Sequence, residues 1–211
     1  MHIRDGFLDT QTWVALSAVS ACFISISVIR ANKKLGEKHI PLMGIMASFI
    51  FAAQMLNFPV AVGTSGHFMG SVLASILLGP FASILIMSTV LIVQCLVFAD
   101  GGITALGANI FNMAVIGSLT GYIIYFILHK ILIFKTGRLI AVFIAGWCSI
   151  VLAASACALE LWLSGTIALN IALPAIVGVH VLIGIGEGLI TVAVINFILT
   201  TRPDLLELEK I

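Results

Sequence analysis

Apolar runs of about 18 or more residues recur along nearly the whole chain, close to the ~20 that a helix needs to cross the hydrocarbon of a bilayer at 1.5 Å rise per residue. Of the 211 residues, 61% are apolar and only 9% are charged. This is the pattern of an integral membrane protein, and no stretch is left over for a soluble domain. The formal charge of +1 excludes a nucleic-acid partner, since no basic segment interleaved with aromatics lies in water. Cys22, Cys95, Cys148 and Cys157 all fall inside apolar runs without metal-type spacing and read as packing residues.

Glycines, prolines and charged clusters divide the chain into about seven spans, near 11–30, 41–62, 68–79, 81–99, 108–129, 138–163 and 175–200. The expected fold is all-α, a polytopic helical bundle forming one membrane domain over residues 1–211. The third span is short: as a helix, Met69 to Leu78 reaches only about 15 Å, so it is steeply placed or stops below the surface at Gly79-Pro80. Positive charge concentrates on cytoplasmic loops. An outside amino terminus gathers Arg30, Lys33, Lys34, Lys38, Lys130, Lys135, Arg138, Arg202 and Lys210 inside and leaves Arg4 outside. The carboxyl terminus is then cytoplasmic, while Met1-His2, the loop 63–67, Asp100-Gly101-Gly102 and the loop 164–174 share the outer face.

That outer face holds the most specific chemistry. In Met1-His2-Ile3-Arg4-Asp5-Gly6 a terminal amine, a backbone amide and an imidazole follow one another. Met1 is expected to be retained, because histidine is too large a second residue for initiator-methionine removal, and the first residues, with Asp5, Asp9 and a first apolar run of spanning length, do not read as a secretory signal. Amine and His2 amide close a five-membered ring on a divalent ion, and amide and near ring nitrogen a six-membered ring. One position of a square plane stays open, and His67 in Gly63-Thr64-Ser65-Gly66-His67 is the candidate to fill it. An ionised amide in a planar nitrogen field favours Cu(II) and Ni(II), then Co(II). The alternative is a loose terminal His2 and a loop His67 bonded to backbone. Asp9 is placed to cap the first helix; Asp5 either offsets the charge of an ion or is solvated.

Ionisable groups within spans need a partner or a task. Glu187 stands near the middle of the last span, with His180 two turns away on the same face; Gln54, Asn57, Gln94, Asn109, Asn112 and Asn196 are available to bond them. Either an ion or proton relay or a polar packing network results. Gly117-x-x-x-Gly121, Gly184-x-Gly186-x-Gly188 and the stripe Ser17, Ala18, Ala21, Cys22 mark helix contacts. There is no phosphate loop, no His-Glu-x-x-His and no Gly-x-Ser-x-Gly, so the chain carries no ATPase or hydrolase motif.

Four ordered stretches carry a family likeness: Met1-His2-Ile3 with Asp5-Gly6-Phe7-Leu8; Asn57-Phe58-Pro59-Val60 leading to Gly63-Thr64-Ser65-Gly66-His67; Phe98-Ala99-Asp100-Gly101-Gly102 through Asn109-Ile110-Phe111-Asn112-Met113; and His180 through Glu187. Together they resemble the substrate-binding subunit of energy-coupling-factor (ECF) nickel or cobalt importers, the NikM/CbiM family. The resemblance implies a non-catalytic subunit of a bacterial or archaeal cell membrane, with an added amino-terminal helix before a six-helix core. It implies an ion bound from outside through the Met1 amine, the His2 amide and imidazole, and His67, with nickel preferred over cobalt. It also implies a transmembrane coupling subunit and two cytoplasmic ATPases as partners, with room for a small accessory membrane subunit. Arg4 departs from the proline of many relatives, which removes no ligand but bears on the stiffness of the terminal segment. Two rivals remain: an autonomous ion-coupled carrier using Asp100, His180 and Glu187, and a membrane metalloenzyme with His180 and Glu187 as ligands.

Overall fold

The structure is a computed structural model that describes residues 1–37, 39–60, 64–134 and 136–202. Lys38, Gly63, Lys135 and the segment 203–211, all used in the sequence reading, lie outside the described residues.

A segment of nine residues, with a turn at Asp5-Gly6, leads into α1 (Thr10–Lys34), whose N-cap is Asp9: its carboxylate accepts from Gln11 N at 3.0 Å and Thr12 N at 3.3 Å, as expected. Then come α2 (His39–Gln54), an antiparallel pair β1 (Phe58–Val60) and β2 (Thr64–Gly66), α3 (Ser71–Leu78) and α4 (Pro80–Phe98). The last three helices are α5 (Leu106–Ile131), α6 (Gly137–Leu163) and α7 (Leu169–Thr201). Five of the seven are long and apolar enough to cross a membrane: α1, α4, α5, α6 and α7. The other two depart from plain spans for local reasons. The second predicted span stops at Gln54, because Asn57 and Pro59 suit an extended path and the register Phe58↔Gly66, Pro59↔Ser65, Val60↔Thr64 turns the chain back on itself. In α3 all eight residues are buried, so it is an internal half-helix of about 12 Å that ends at Gly79, with Pro80 opening α4.

Gly70 caps the start of α3 at φ +80°, where a Cβ would also sit 2.8 Å from Ile50 Cγ1, so glycine is required there on two grounds. Of the predicted small-residue contacts, those of Gly117, Gly121, Gly184 and Gly188 are made, while Gly186 meets nothing within 4 Å and Ala18, Ala21 and Cys22 of the α1 stripe are exposed. Gly184 faces Trp147 and Gly188 faces Phe143 across the α6–α7 seam, and Gly121 meets Val72 of α3. On α1, Ser20 Oγ donates to Gly107 O at 2.7 Å, whereas Cys22 is exposed. Apolar side chains left outside, such as Val14, Ile29 and Leu182, form the belt expected to meet lipid tails.

The four segments assigned to one face converge. Ser65 reaches Met1, Gly102 N donates to Ile3 O at 2.9 Å, and Thr166 Oγ1 donates to Phe7 O. Cations Arg30, Lys33, Lys34, Lys130, Arg138 and Arg202 lie at the other ends of their helices.

Candidate functional site

The amino-terminal segment is threaded into the bundle: Met1, His2 and Ile3 are 1%, 3% and 0% exposed. Asn109 of α5 grips Ile3 in the manner of a paired strand, its Oδ1 accepting from Ile3 N at 2.8 Å and its Nδ2 donating to Ile3 O at 3.0 Å. Asp5 is exposed, as its solvated reading expected, but it also ties the terminal segment to the residues after Gly102. Its carboxylate accepts from Ile103 N at 3.1 Å and Thr104 N at 2.8 Å and from Thr104 Oγ1 at 2.6 Å. These bonds, the Thr104 hydroxyl first, hold its acidity below the ordinary carboxylate range. At Gly102 a Cβ would lie 2.7 Å from Arg4 C, which makes this glycine the condition for close approach of the two segments.

At the buried tip, four nitrogens and one hydroxyl meet. Met1 N lies 3.3 Å from His67 Nε2, and His67 Nε2 lies 3.1 Å from His2 Nδ1. Ser65 Oγ is 3.3 Å from both His2 N and His2 Nδ1, and the Met1 amine donates to Ser65 O. The two imidazole rings are tilted by 36° with centroids 4.7 Å apart.

The outward partners of the rings fix which nitrogens carry protons. The Nδ1–H of His67 donates to Phe68 O at 2.7 Å, so its Nε2 presents a lone pair. For His2 the argument starts further away, at a carbonyl that can only accept. Gln54 Nε2 donates to Met69 O at 2.8 Å, and Gln94 Nε2 donates to Gln54 Oε1 at 2.9 Å. Gln94 Oε1 is therefore turned toward His2 and takes the Nε2–H at 3.1 Å. That leaves His2 Nδ1 as a lone pair facing the lone pair of His67 at 3.1 Å. Two acceptors so close repel unless a cation or proton lies between them.

A proton is disfavoured. Burial first, and the neighbouring amine second, lower His2 to about 3 and hold His67 well below the usual histidine range. Burial likewise lowers the Met1 amine to about 5, so at neutral pH all three groups offer lone pairs. Asp100 is the one nearby anion, with Oδ1 3.6 Å from His2 Nδ1 and Oδ2 accepting from Asn57 Nδ2 at 2.9 Å; burial raises its pKa. Bonds of about 2 Å at right angles would set adjacent ligand nitrogens about 2.8 Å apart. The observed 3.1 and 3.3 Å separations need only small adjustment. Among the described residues no three His, Cys, Asp or Glu side chains form a metal cage. The other nitrogens at the cluster belong to the main chain, the Met1 amine and the His2 amide.

The other polar residues sort differently from the sequence expectation, for none of the six amides bonds Glu187 or His180. Glu187 instead accepts from Met69 N at 2.7 Å and Gly70 N at 2.9 Å, holding the turn that presents His67 and sitting at the positive end of α3. His180 Nδ1 donates to Ile176 O at 2.7 Å, while its Nε2 is buried with no hydrogen-bond partner among the described residues. Asn112 Nδ2 donates to Glu160 Oε2 at 2.7 Å, an in-span carboxylate that the sequence reading passed over. Asn196 lies at the opposite end of the bundle. Ser65 and the Gln54–Gln94 relay are the contributors that spacing did not single out. The signal for the relay was two glutamines inside apolar spans.

Residues 2–205 match the family model CbiM, described as a cobalt uptake substrate-specific transmembrane region. The chain belongs to the CbiM family. A relative named as a candidate fused nickel transport protein NikMN, from Archaeoglobus fulgidus, is 45% identical over 98% of this chain and 68% of its own length. A cobalt transport protein CbiM from Sorangium cellulosum is 31% identical over 98% of this chain and 95% of its own. A solved structure of a truncated transition metal transporter superposes with a TM-score of 0.90 at 34% identity, covering 95% of this chain and 99% of that one. This CbiM-family chain is thus a membrane protein of a transition-metal uptake family, and the likeness named from its motifs holds.

Proposed function

We propose that this protein captures a divalent transition-metal ion, nickel in preference to cobalt, through the Met1 amine, the His2 amide and Nδ1, and His67 Nε2. The ion is substrate, taken from the outer face and handed on for uptake. The carrying observation is the two imidazole nitrogens 3.1 Å apart, each ring with an oxygen within bonding distance of its other nitrogen, beside a buried amine. Relatives named for nickel and for cobalt transport support this class of ion. Nickel is placed first because a planar field of four nitrogens, one an ionised amide, suits low-spin Ni(II) better than Co(II). Asp100 offsets the charge left over when a divalent ion meets one ionised amide. The phosphate loop is absent from the sequence, so ATP is hydrolysed by partners: a transmembrane coupling subunit with two cytoplasmic ATPases, as in an ECF importer of a cell membrane.

The test is nickel titration of detergent-purified protein with an authentic first residue. Wild type binds one ion tightly, and X-ray absorption reports four short nitrogen bonds in a plane. His2→Ala, His67→Ala and a version with one residue added before Met1 each lose that binding. Normal affinity in the extended version would remove the terminal amine from the ligand set.

A further inference from the structure

At the end of the bundle opposite the nitrogen cluster, a cavity of about 750 Å³ opens between the last turns of α5, the start of α6 and the end of α7. Its rim carries His129, Lys130 and Arg138 with Asn196, and its floor is apolar, including Leu132, Leu139 and Leu199. None of the described residues lining it is acidic. Cations commonly flank membrane spans, but these are positioned by aromatic faces. Lys130 Nζ sits 3.9 Å above the Phe126 ring, and His129 stacks on Tyr125 with centroids 5.5 Å apart and planes 2° from parallel. His129 Nδ1 is buried with no hydrogen-bond partner among the described residues. Thr136, the N-cap of α6, makes no side-chain cap and the Gly137 amide donates to Phe134 O at 2.8 Å, so only the next amides of the first turn add positive potential to the same rim.

We propose that this cavity is a binding site for an anionic phospholipid, the phosphate diester lying among His129, Lys130 and Arg138 and the acyl chains running down the leucine-lined floor. A free anion would fill only the rim. The apolar floor and the location at the bilayer edge, in the leaflet that the charge pattern makes cytoplasmic, select a lipid. The site is remote from the nitrogen cluster, so its failure and that of the metal reading are separately visible.

Purified protein is titrated with short-chain phosphatidylglycerol, short-chain phosphatidylcholine and inorganic phosphate, with native mass spectrometry and thermal unfolding as readouts. Phosphatidylglycerol is expected to bind saturably, at least tenfold tighter than phosphatidylcholine, and to raise Tm, while phosphate alone leaves Tm unchanged. Lys130→Gln with Arg138→Gln erases the preference, Lys130→Arg with Arg138→Lys keeps it, and both double variants bind nickel as wild type does. The proposal is overturned by equal binding of the two lipids, by a Tm shift that phosphate alone reproduces, or by a preference that survives in the glutamine double variant. The wild-type titrations decide the matter without the variants if either fails to fold.

Discussion

A neutral terminal amine is the residue-scale condition for the proposed chemistry, and burial creates it. With Met1 lowered to about 5 and His2 to about 3, only the His2 amide still holds a proton to be displaced at pH 7. Calorimetry in buffers of different ionisation enthalpy should therefore record about one proton released per nickel ion; an amine at its ordinary 8.0 would bring the count close to two. The sign for docking follows from the same shift. The free segment binds the proton more readily than the docked one, so docking of the terminus is strongest above pH 8 and weakens as pH falls from 8 toward about 5, which hydrogen exchange at Ile3 can follow. Gln94 makes a second prediction. Gln94→Met removes the acceptor that orients His2 and should weaken nickel binding roughly 10–100-fold, whereas Gln94→Glu still accepts the Nε2–H and should retain most of it. Sequence alone singled out Met1 and His2 as candidates, since the spacing of amine, amide and imidazole is local, and the structure places His67 beside them. It could not expose the relay, because Gln54, Gln94 and Met69 meet only through three separate elements.

Among the elements, the half-helix α3 and the turn before it do the positioning. The turn 67–70 descends into the bundle, and its Met69 and Gly70 amides find their acceptor in Glu187 on α7. This is why a carboxylate tolerates the middle of a span: it satisfies buried donors at a helix start rather than relaying ions. Glu187→Ala strands both amides and should cost about 2–5 kcal/mol of stability, with nickel affinity falling along with it. Glu187→Gln keeps one acceptor oxygen and should cost less, which thermal unfolding with and without nickel will separate. The sequence marked Glu187 as anomalous but not its partners, since backbone amides leave no trace in composition. It likewise placed α1, α4, α5 and α6 to within a few residues, because long apolar runs have one reading in lipid, whereas α7 starts at Leu169 and runs through Pro174, so the expected loop 164–174 is shorter than drawn. The second span was drawn too long, as apolar residues after Gln54 enter a hairpin whose pairing is a tertiary matter.

On the scale of the whole molecule, the two ends differ: a buried nitrogen cluster at one, cations and a cavity of about 750 Å³ at the other, and a packed bundle between them. Of the polar groups lying between, Ser71 Oγ, Ser88 Oγ and Glu160 Oε1 have no partner among the described residues, but Ser83 Oγ donates to Ser71 O at 2.8 Å and Thr191 Oγ1 to Glu187 O at 2.7 Å. An ion leaving the nitrogen cluster through the bundle would have to break these bonds and cross α3, all eight of whose residues are buried. An autonomous carrier built on Asp100, His180 and Glu187 meets the same obstacle, because Glu187 is committed to the turn amides and Asp100 to Asn57. Release by movement of the whole subunit, driven by ATP hydrolysis elsewhere, asks for none of this. Proteoliposomes holding this chain alone, with a proton or sodium gradient imposed, should therefore accumulate no nickel. Adding the coupling subunit and ATPases with ATP should start uptake, and His67→Ala should stop it while leaving ATP hydrolysis measurable. Gradient-driven uptake by the chain alone would reverse the conclusion and assign the energy coupling to its own buried carboxylates.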